Sequence, residues 1–208
     1  MKSDKIVGVI DCGINNIKSL LNALDYIQKP YAIIDNYKSF ENYDNYILPG
    51  VGSFDAGVKA LKNKDLFSCI ADADYTKKKI FGICLGMQLL CKNSEEGELD
   101  GLGIIEADVI NLRKLGCMGK IPHVGFNEIS DIVSNQDTGF LSSMVGNDYY
   151  FIHSFGLNLN NKMNIDYAKT EYENSSIVAA IKLDNIFATQ FHPEKSGLKG
   201  VSIFNNYL

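Results

Sequence analysis

Short apolar runs alternate with segments of helical periodicity in the first half of the chain, and this alternation constrains the fold most. Ile6–Ile10 is rich in β-branched residues and leads to Gly13, as a buried strand followed by a turn does. An amphipathic helix is predicted next from the i, i+3, i+4, i+7 spacing of Ile17, Leu20, Leu21 and Leu24. The further predicted elements are strands Tyr31–Ile34, Tyr46–Leu48 (stopped by Pro49-Gly50) and Ile80–Ile83, a helix containing Val58 and Leu61, and a helix Leu85–Cys91. Alternating strands and helices indicate a parallel sheet covered on both faces.

The second half of the chain is richer in strands. They are predicted at Gly103–Ile110, Gly125–Ile129, Tyr149–His153, Ile177–Ile181 and Ile186–Gln190, with a closing helix at Leu198–Tyr207. Asn158–Asn164 and Ser94–Asp100 are polar and predict surface loops. No repeat or linker divides the chain, so one domain over residues 1–208 is expected. The predicted fold class is therefore α/β, with a central mostly parallel sheet flanked by helices and a strand-rich second half.

Composition and charge exclude several classes of function. The chain has 208 residues, of which 46% are hydrophobic, and a net charge of -5. An acidic surface argues against non-specific binding of nucleic acid. No run approaches the roughly 20 apolar residues that span a bilayer, and the N-terminus lacks a signal-peptide pattern. We therefore expect a cytoplasmic protein whose five cysteines are free thiols.

Cys84 is the first candidate for chemistry. It stands between Gly82 and Gly86, where an apolar strand meets a predicted helix. This is the G-x-S-x-G arrangement of hydrolases with sulfur in place of oxygen. A helix N-terminus favours the thiolate, and the amide of Leu85 can donate to an oxyanion. The alternative is a small buried residue at the end of a strand, and the motif alone does not decide between the two.

His192 is the candidate base, in the string Gln190-Phe191-His192-Pro193-Glu194-Lys195-Ser196. It follows the predicted strand Ile186–Gln190, and strand ends are where sites form in such sheets. Glu194 is placed to accept from the ring nitrogen that does not face the thiol, which would orient His192 as in a catalytic triad. The alternative is a surface histidine at a strand–loop junction.

A third segment, Leu48-Pro49-Gly50-Val51-Gly52-Ser53-Phe54, carries two glycines around Val51. Such a loop can turn its amides into a site and supply a second oxyanion donor. The alternative is an ordinary turn between a strand and a helix.

Together these segments resemble the class-I glutamine amidotransferases, and more closely the glutaminase subunits of imidazole glycerol phosphate synthases. The strings that carry the resemblance are Gly82–Gln88 (G-I-C-L-G-M-Q), Gln190–Ser196 (Q-F-H-P-E-K-S), Pro49–Gly52 (P-G-V-G), Asp11–Asn16, Pro122–Asn127 and Tyr150–Phe155. The likeness runs essentially from end to end. It implies the class-I amidotransferase fold and the hydrolysis of L-glutamine to glutamate and ammonia.

The resemblance also implies residue roles. Cys84 would attack the glutamine amide, His192 would transfer the proton, Glu194 would orient His192, and the amides of Val51 and Leu85 would hold the oxyanion. The residues that would bind the substrate are Gly50, Gly52, Gln88, His153, Ser154 and Phe155. The partner would be a cyclase with the form of a (β/α)-barrel, which receives ammonia in a heterodimer and makes imidazole glycerol phosphate and aminoimidazole carboxamide ribotide in histidine biosynthesis. The residues at that interface would be Asn16, His123, Phe126 and Lys195. No metal or cofactor is implied.

Some positions depart from the family pattern and keep alternatives open. Cys12, Asn15, Phe126 and Phe155 stand where the family has Tyr, Gly, Trp and Tyr. Because Phe126 falls at the expected interface, a second hypothesis is a glutaminase subunit that feeds ammonia to surface-sugar amidation or amidination. A third hypothesis is a non-catalytic scaffold that kept the fold. His153 is expected to be a pocket wall or core residue rather than a second base, and His123 to be a loop or interface residue.

Overall fold

A computed structural model describes residues 6–13, 17–134, 139–159 and 165–207. The strands are β1 (Val7–Ile10), β2 (Tyr31–Ile34), β3 (Asn45–Gly50), β4 (Lys79–Cys84), β5 (Cys91–Ser94), β6 (Ile105–Asn111), β7 (His123–Val133), β8 (Asp148–His153), β9 (Phe155–Leu159), β10 (Asp166–Tyr172), β11 (Ser175–Leu183) and β12 (Ile186–Thr189). The helices are α1 (Lys18–Tyr26), α2 (Tyr37–Phe40), α3 (Phe54–Asn63), α4 (Leu66–Ala71), α5 (Leu85–Leu89), α6 (Gly139–Ser142) and α7 (Gly197–Tyr207), and a 3₁₀ turn covers Pro193–Lys195.

A nine-stranded sheet in the order β2-β1-β3-β4-β12-β11-β10-β7-β8 forms the centre of the molecule. The strands β2, β1, β3, β4 and β12 run parallel to one another. From β12 onward, each of β11, β10, β7 and β8 is antiparallel to the strand before it. The α/β class is confirmed, but the sheet is mixed rather than mostly parallel. The reason lies in tight hairpins: Glu173 and Asn174, both with positive φ, join β10 directly to β11.

Helices cover both faces of the parallel half, as the alternating pattern predicts. On one face, Leu24 of α1 and Phe204 of α7 pack in the same buried cluster as Val9 of β1. On the other face, Val58 of α3 and Ile70 of α4 join a second cluster. Burial of each such side chain contributes about 1.5–3 kcal/mol relative to leaving it exposed. The site is therefore built on a rigid, doubly covered sheet.

Strand β3 extends through Pro49 and Gly50, past the predicted stop. Pro49 pairs with Ile83 and Gly50 with Cys84 on β4, whereas pairing with β1 on the other side ends at Ile47. The β3 end thus lies beside the end of β4.

The predicted helix Leu85–Cys91 is too long, because α5 ends at Leu89 and β5 begins at Cys91. A small three-stranded sheet, β5-β6-β9, uses residues that the sequence assigns to polar loops. Asn158 pairs with Asp108 in it, while residues 160–164 of the predicted loop Asn158–Asn164 lie outside the described residues. In the described part of the chain no helix is long and apolar enough to cross a membrane.

Candidate active site

Cys84 lies at a sharp turn between β4 and α5, as predicted. Its backbone has φ 54° and ψ -109°, which is outside the conformations that non-glycine residues ordinarily adopt. The turn packs so tightly that a Cβ on Gly86 would lie 1.8 Å from the carbonyl oxygen of Leu48. A Cβ on Gly82 would lie 2.9 Å from the backbone of Gly86. The two glycines are therefore required by close approach, and the turn holds the thiol at the end of the sheet.

His192 reaches the same place from the neighbouring strand. Strands β12 and β4 are parallel and pair Thr189 with Ile83, so the residues that follow them meet at one edge of the sheet. The backbone of His192 is fixed to β8, because its N–H donates to the carbonyl of Tyr150 over 2.9 Å. Ser196 adds a second tie: its hydroxyl donates to the carbonyl of His192 over 2.6 Å and accepts from the N–H of Tyr150 over 2.9 Å.

Glu194 orients the imidazole ring from the 3₁₀ turn. Nδ1 of His192 lies 2.7 Å from Oε1 of Glu194, and their side chains are only 2% and 9% exposed. Burial alone lowers the pKa of His192, but its contacts with Cys84 and Glu194 outweigh burial and hold the pKa well above its usual range. Within the described residues, the buried Nε2 has no partner that meets hydrogen-bond geometry. Nε2 is therefore the ring nitrogen left for the thiol of Cys84.

The sulfur of Cys84 has two further polar neighbours that the sequence did not indicate. Nε2 of Gln190 lies 3.7 Å from Sγ, and the thiol lies 3.9 Å from the carbonyl oxygen of Ile152. Both contacts join residues far apart in the chain, so no local motif signals them. Gln190 and Ile152 lie in the strings Gln190–Ser196 and Tyr150–Phe155, which carry the resemblance, but the sequence assigned a role to neither residue.

A hydrogen-bond network connects the sulfur to the pocket wall. Nε2 of Gln88 donates to the side-chain oxygen of Gln190 over 3.1 Å and to the carbonyl of Phe155 over 2.9 Å. The same carbonyl accepts from Nδ1 of His153 over 2.8 Å. The other ring nitrogen of His153 lies 3.1 Å from Nδ1 of His123. Burial lowers the pKa of His153 to about 3, so the ring is neutral near pH 7.

A cavity of about 360 Å³ opens in front of Cys84. Its lining contains most of the predicted site residues: Val51, Gly52, Cys84, Leu85, Gln88, His153, Ser154, Phe155, His192 and Lys195. It also contains Glu96, Pro122 and Ile152, which the sequence did not single out. The size suits a small polar metabolite rather than a macromolecule.

The remaining predicted residues lie elsewhere. Gly50 does not line the cavity: a Cβ there would lie 2.6 Å from Leu85 Cβ, so its role is to admit α5. The prediction of a loop or interface position for His123 is wrong for its side chain, which is fully buried in β7 between the rings of Phe151 and Tyr172. Phe126 is 59% exposed, as an interface residue requires. Asn16 lies outside the described residues.

No group of three or more histidine, cysteine, aspartate or glutamate side chains could hold a metal ion among the residues described. At the cavity, the groups available for chemistry are a buried cysteine, a histidine–glutamate pair and backbone amides at a strand–helix turn. Such a set suits nucleophilic attack on a carbonyl carbon.

Sequence comparisons with known proteins give one family over nearly the whole chain. The family model for glutamine amidotransferase class-I matches residues 8–208. The chain is 40% identical over 204 residues to imidazole glycerol phosphate synthase subunit HisH of Caldanaerobacter subterraneus, covering 97% of each chain. It is 37% identical to subunit HisH 2 of Methanococcus maripaludis over 205 residues, covering 98% of each.

Solved structures agree on the fold. A crystal structure of a glutamine amidotransferase superposes with a TM-score of 0.72 at 16% identity, covering 96% of each chain. The structure of PurLQS from Thermotoga maritima gives a TM-score of 0.68 at 19% identity, covering 98% of this chain and 97% of that one. At these identities the likeness concerns the fold alone.

Proposed function

Since this chain belongs to the class-I glutamine amidotransferase family, we propose that it is the glutaminase subunit of an imidazole glycerol phosphate synthase. The observation that carries the proposal is the convergence of Cys84, His192 and Glu194 at one edge of the sheet, in front of a small cavity. The HisH relatives, alike over nearly the whole chain, support the histidine pathway. Nothing in the comparisons favours the surface-sugar alternative. A place in amino-acid biosynthesis also supports the expected cytoplasmic location, and the match over 8–208 supports one domain.

In the proposed reaction, the sulfur of Cys84 attacks the side-chain amide carbon of glutamine. The thiol proton passes to Nε2 of His192, and the raised pKa of His192 favours this imidazolium. The imidazolium then protonates the amide nitrogen, the C–N bond breaks and ammonia leaves a glutamyl thioester on Cys84. Water gives a proton to His192 and attacks the thioester carbon, and the C–S bond breaks to give glutamate. The departing sulfur of Cys84 then takes the proton back from His192, which restores the starting state. Glu194 keeps the imidazole in the required orientation throughout.

Two backbone amides are the proposed donors to the tetrahedral oxyanion. Leu85 is the first residue of α5 and follows the nucleophile directly, so its amide lies at the positive end of the turn. Val51 also lines the cavity. Gly52 beside it has φ 103° and open space around its Cβ position, so the segment has conformational freedom that other residues would lack.

The amino-acid end of glutamine is proposed to lie against Gln88, His153, Ser154 and Phe155, which line the cavity. Both N–H groups of Gln88 are already used within the protein, so its oxygen is the atom available to the substrate. It can accept from the α-ammonium group or the amide nitrogen. An acceptor that faces the cavity in this way supports selectivity for glutamine over apolar analogues.

The proposed docking surface for the cyclase is an exposed apolar face of β7 and β8. It consists of Val124, Phe126 and Ile152, which are 51%, 59% and 43% exposed. Val124 and Ile152 are direct cross-strand partners, and the ring of Phe126 contacts Tyr150. Clustered apolar exposure of this kind marks interaction sites. The face borders the cavity through Ile152, and exposed Lys195 lies at the cavity rim, so a docked cyclase would receive ammonia close to where it is released.

Cys84→Ala in the assembled synthase tests the proposal. We expect glutamine-dependent synthesis to be lost and ammonia-dependent synthesis to survive, because only the nucleophile is removed. Cys69→Ala is the matched control, since Cys69 lies on α4 away from the cavity. Loss of both activities with assembly intact, or retention of glutamine-dependent synthesis, would contradict the proposal.

Growth of a histidine auxotroph distinguishes the two pathways. If the chain replaces the missing glutaminase subunit, growth without histidine follows. Failure to restore growth, with glutaminase activity intact in the presence of the matching cyclase, would favour the surface-sugar alternative.

A further inference from the structure

We infer that Gln190 is a catalytic residue whose side-chain amide donates a hydrogen bond to the sulfur of Cys84 and favours its thiolate form. This inference rests on the proposed function for its meaning in the reaction, but its geometry stands by itself. Gln190 is fully buried, and its Nε2 lies 3.7 Å from Sγ. A buried amide this close to a nucleophile changes the balance between thiol and thiolate.

The backbone places Gln190 at the sulfur. Gln190 directly follows β12, and β12 runs parallel to β4, which ends at Cys84. The N–H of Gln190 donates to the carbonyl of Ala179 on β11 over 2.8 Å, so the residue is held to the sheet from the side opposite β4. This bond fixes the main chain, while burial of the side chain and the hydrogen bond that it accepts from Gln88 hold its amide beside the sulfur.

A backbone carbonyl determines which end of the Gln190 amide faces the sulfur. The carbonyl of Phe155 can only accept, so the group of Gln88 that faces it must be the NH₂ group. The second N–H of Gln88 points to Gln190, whose oxygen must then accept. The NH₂ group of Gln190 is thereby left facing Sγ. The polarity of the contact therefore follows from a chain of three hydrogen-bonding groups, and a reversed Gln190 amide would bring its NH₂ group against the NH₂ group of Gln88.

The chemistry of sulfur gives this donor a defined effect. A neutral thiol is a weak acceptor, whereas a thiolate is a strong one, so an N–H donor stabilises the charged form. The carbonyl of Ile152 works the other way, because it can accept only from the S–H group of the thiol. Gln190 and His192 thus favour loss of the thiol proton, and Ile152 favours its retention.

Gln190→Met and Gln190→Glu test the inference, with Thr189→Val as the control. Met has the length of Gln without its donor, and Glu keeps the shape but turns an oxygen towards the sulfur. Thr189 is equally buried and hydrogen-bonds to the carbonyl of Phe191 rather than to Sγ. The rate of Cys84 alkylation by iodoacetamide is measured against pH for the whole chain, with the Cys84 peptide quantified by mass spectrometry. This separates Cys84 from the other four cysteines.

We expect the midpoint of the alkylation profile to rise by about one pH unit in Gln190→Met, and further in Gln190→Glu, because charge-assisted hydrogen bonds have about this strength. Nucleophilicity rises only about threefold per unit, since the Brønsted coefficient is about 0.4–0.5. Alkylation should therefore be about threefold slower than wild type well below the midpoint and about threefold faster well above it. A general packing defect would not produce profiles that cross.

The inference would be overturned if the alkylation midpoints of both folded Gln190 variants stayed within about 0.2 pH units of the wild-type midpoint, which is small against the full unit expected from one hydrogen bond. It would also be overturned if Thr189→Val shifted the midpoint as much as the Gln190 variants do. The assay uses no glutamine, so it separates the two proposals. If Cys84→Ala leaves glutamine-dependent synthesis intact, the proposed function fails while the alkylation result still decides the role of Gln190.

Discussion

Replacing Cys84 by glycine should destabilise the protein far less than glycine does at an ordinary buried position. The reason is the backbone of Cys84, with φ 54° and ψ -109°, where any side chain is strained but glycine is not. The informative comparison is Cys84→Gly against Cys84→Ala. Both remove the thiol and every interaction of the sulfur, so they differ only by one methyl group and by backbone freedom.

Three contributions fix the expected difference. Alanine keeps the strain, which is about 1–3 kcal/mol, and glycine releases it. Glycine loses about 0.4–1 kcal/mol through the entropy of the unfolded chain and about 0.8 kcal/mol through the missing buried methyl group. Cys84→Gly should therefore lie between about 0.8 kcal/mol less stable and about 1.8 kcal/mol more stable than Cys84→Ala.

Ala188→Gly is the matched control. Ala188 is fully buried on β12, pairs with Gly82 of β4, and has no positive φ. Glycine there loses the same methyl group and the same entropy without any release of strain, so it should lower the free energy of unfolding by about 1.2–1.8 kcal/mol. The free energy of unfolding changes by one amount from Cys84→Ala to Cys84→Gly and by another from wild type to Ala188→Gly. The difference between these two amounts is the strain at Cys84.

Urea unfolding followed by far-UV circular dichroism measures these differences. The chain has no tryptophan, so indole fluorescence is not a usable probe. Midpoints convert to free energies when the m-value is the same in all variants. A gap smaller than about 0.5 kcal/mol, below the least strain expected for this conformation, would refute the argument.

Three further predictions concern other parts of the site. Glu194→Gln should lower glutamine-dependent kcat/KM by about 10- to 150-fold, because it removes a charged partner 2.7 Å from Nδ1 of His192. A glutamate-release assay that gave the same kcat/KM for the variant and for wild type would contradict this. Gly86→Ala should lower the free energy of unfolding by about 3 kcal/mol or prevent folding, because the new Cβ would lie 1.8 Å from the oxygen of Leu48; a thermal melt like that of wild type would show that the turn can open. Burial lowers the pKa of His153 to about 3, so the free energy of unfolding should fall as pH falls from about 6.5 towards 3. His153→Gln should reduce the slope of the free energy of unfolding against pH by up to about 1.4 kcal/mol per pH unit. Equal slopes for wild type and variant, from urea titrations at several pH values, would exclude a neutral buried ring.

The sequence predicted the parts of the fold that depend on local pattern. The buried parallel strands are continuous apolar runs, and the strand–turn–helix at Cys84 carries two glycines that close packing requires. Strand β10 was missed because Asp166–Tyr172 contains no apolar run. It is a strand because β11 and β7 pair with it on both sides, which is tertiary context rather than propensity.

The surroundings of the sulfur could not be predicted from the sequence. Gln190, Ile152 and His192 reach Cys84 from positions at least 68 residues away, and each arrives only because its strand has one place in the sheet. A motif gives the type of each side chain, but sheet order decides which atoms meet. The donor role of Gln190 follows from contacts that run through Gln88 to a main-chain carbonyl, and no sequence pattern encodes these.

The segment Pro122–Asn127 explains why His123 and Phe126, both predicted at the interface, lie in different surroundings. The sequence presents it as one motif, and the resemblance assigns it to one role. In the structure it enters β7, where successive side chains point to opposite faces. His123 therefore turns inward to His153 and the cavity wall, while Val124 and Phe126 turn outward to the exposed apolar face. Strand β8 divides in the same way, with His153 inward and Ile152 outward. Two paired strands thus carry the wall of the pocket on one side and the apolar face on the other, so a substitution at Phe126 changes the apolar face without touching the hydrogen bonds that fix the pocket.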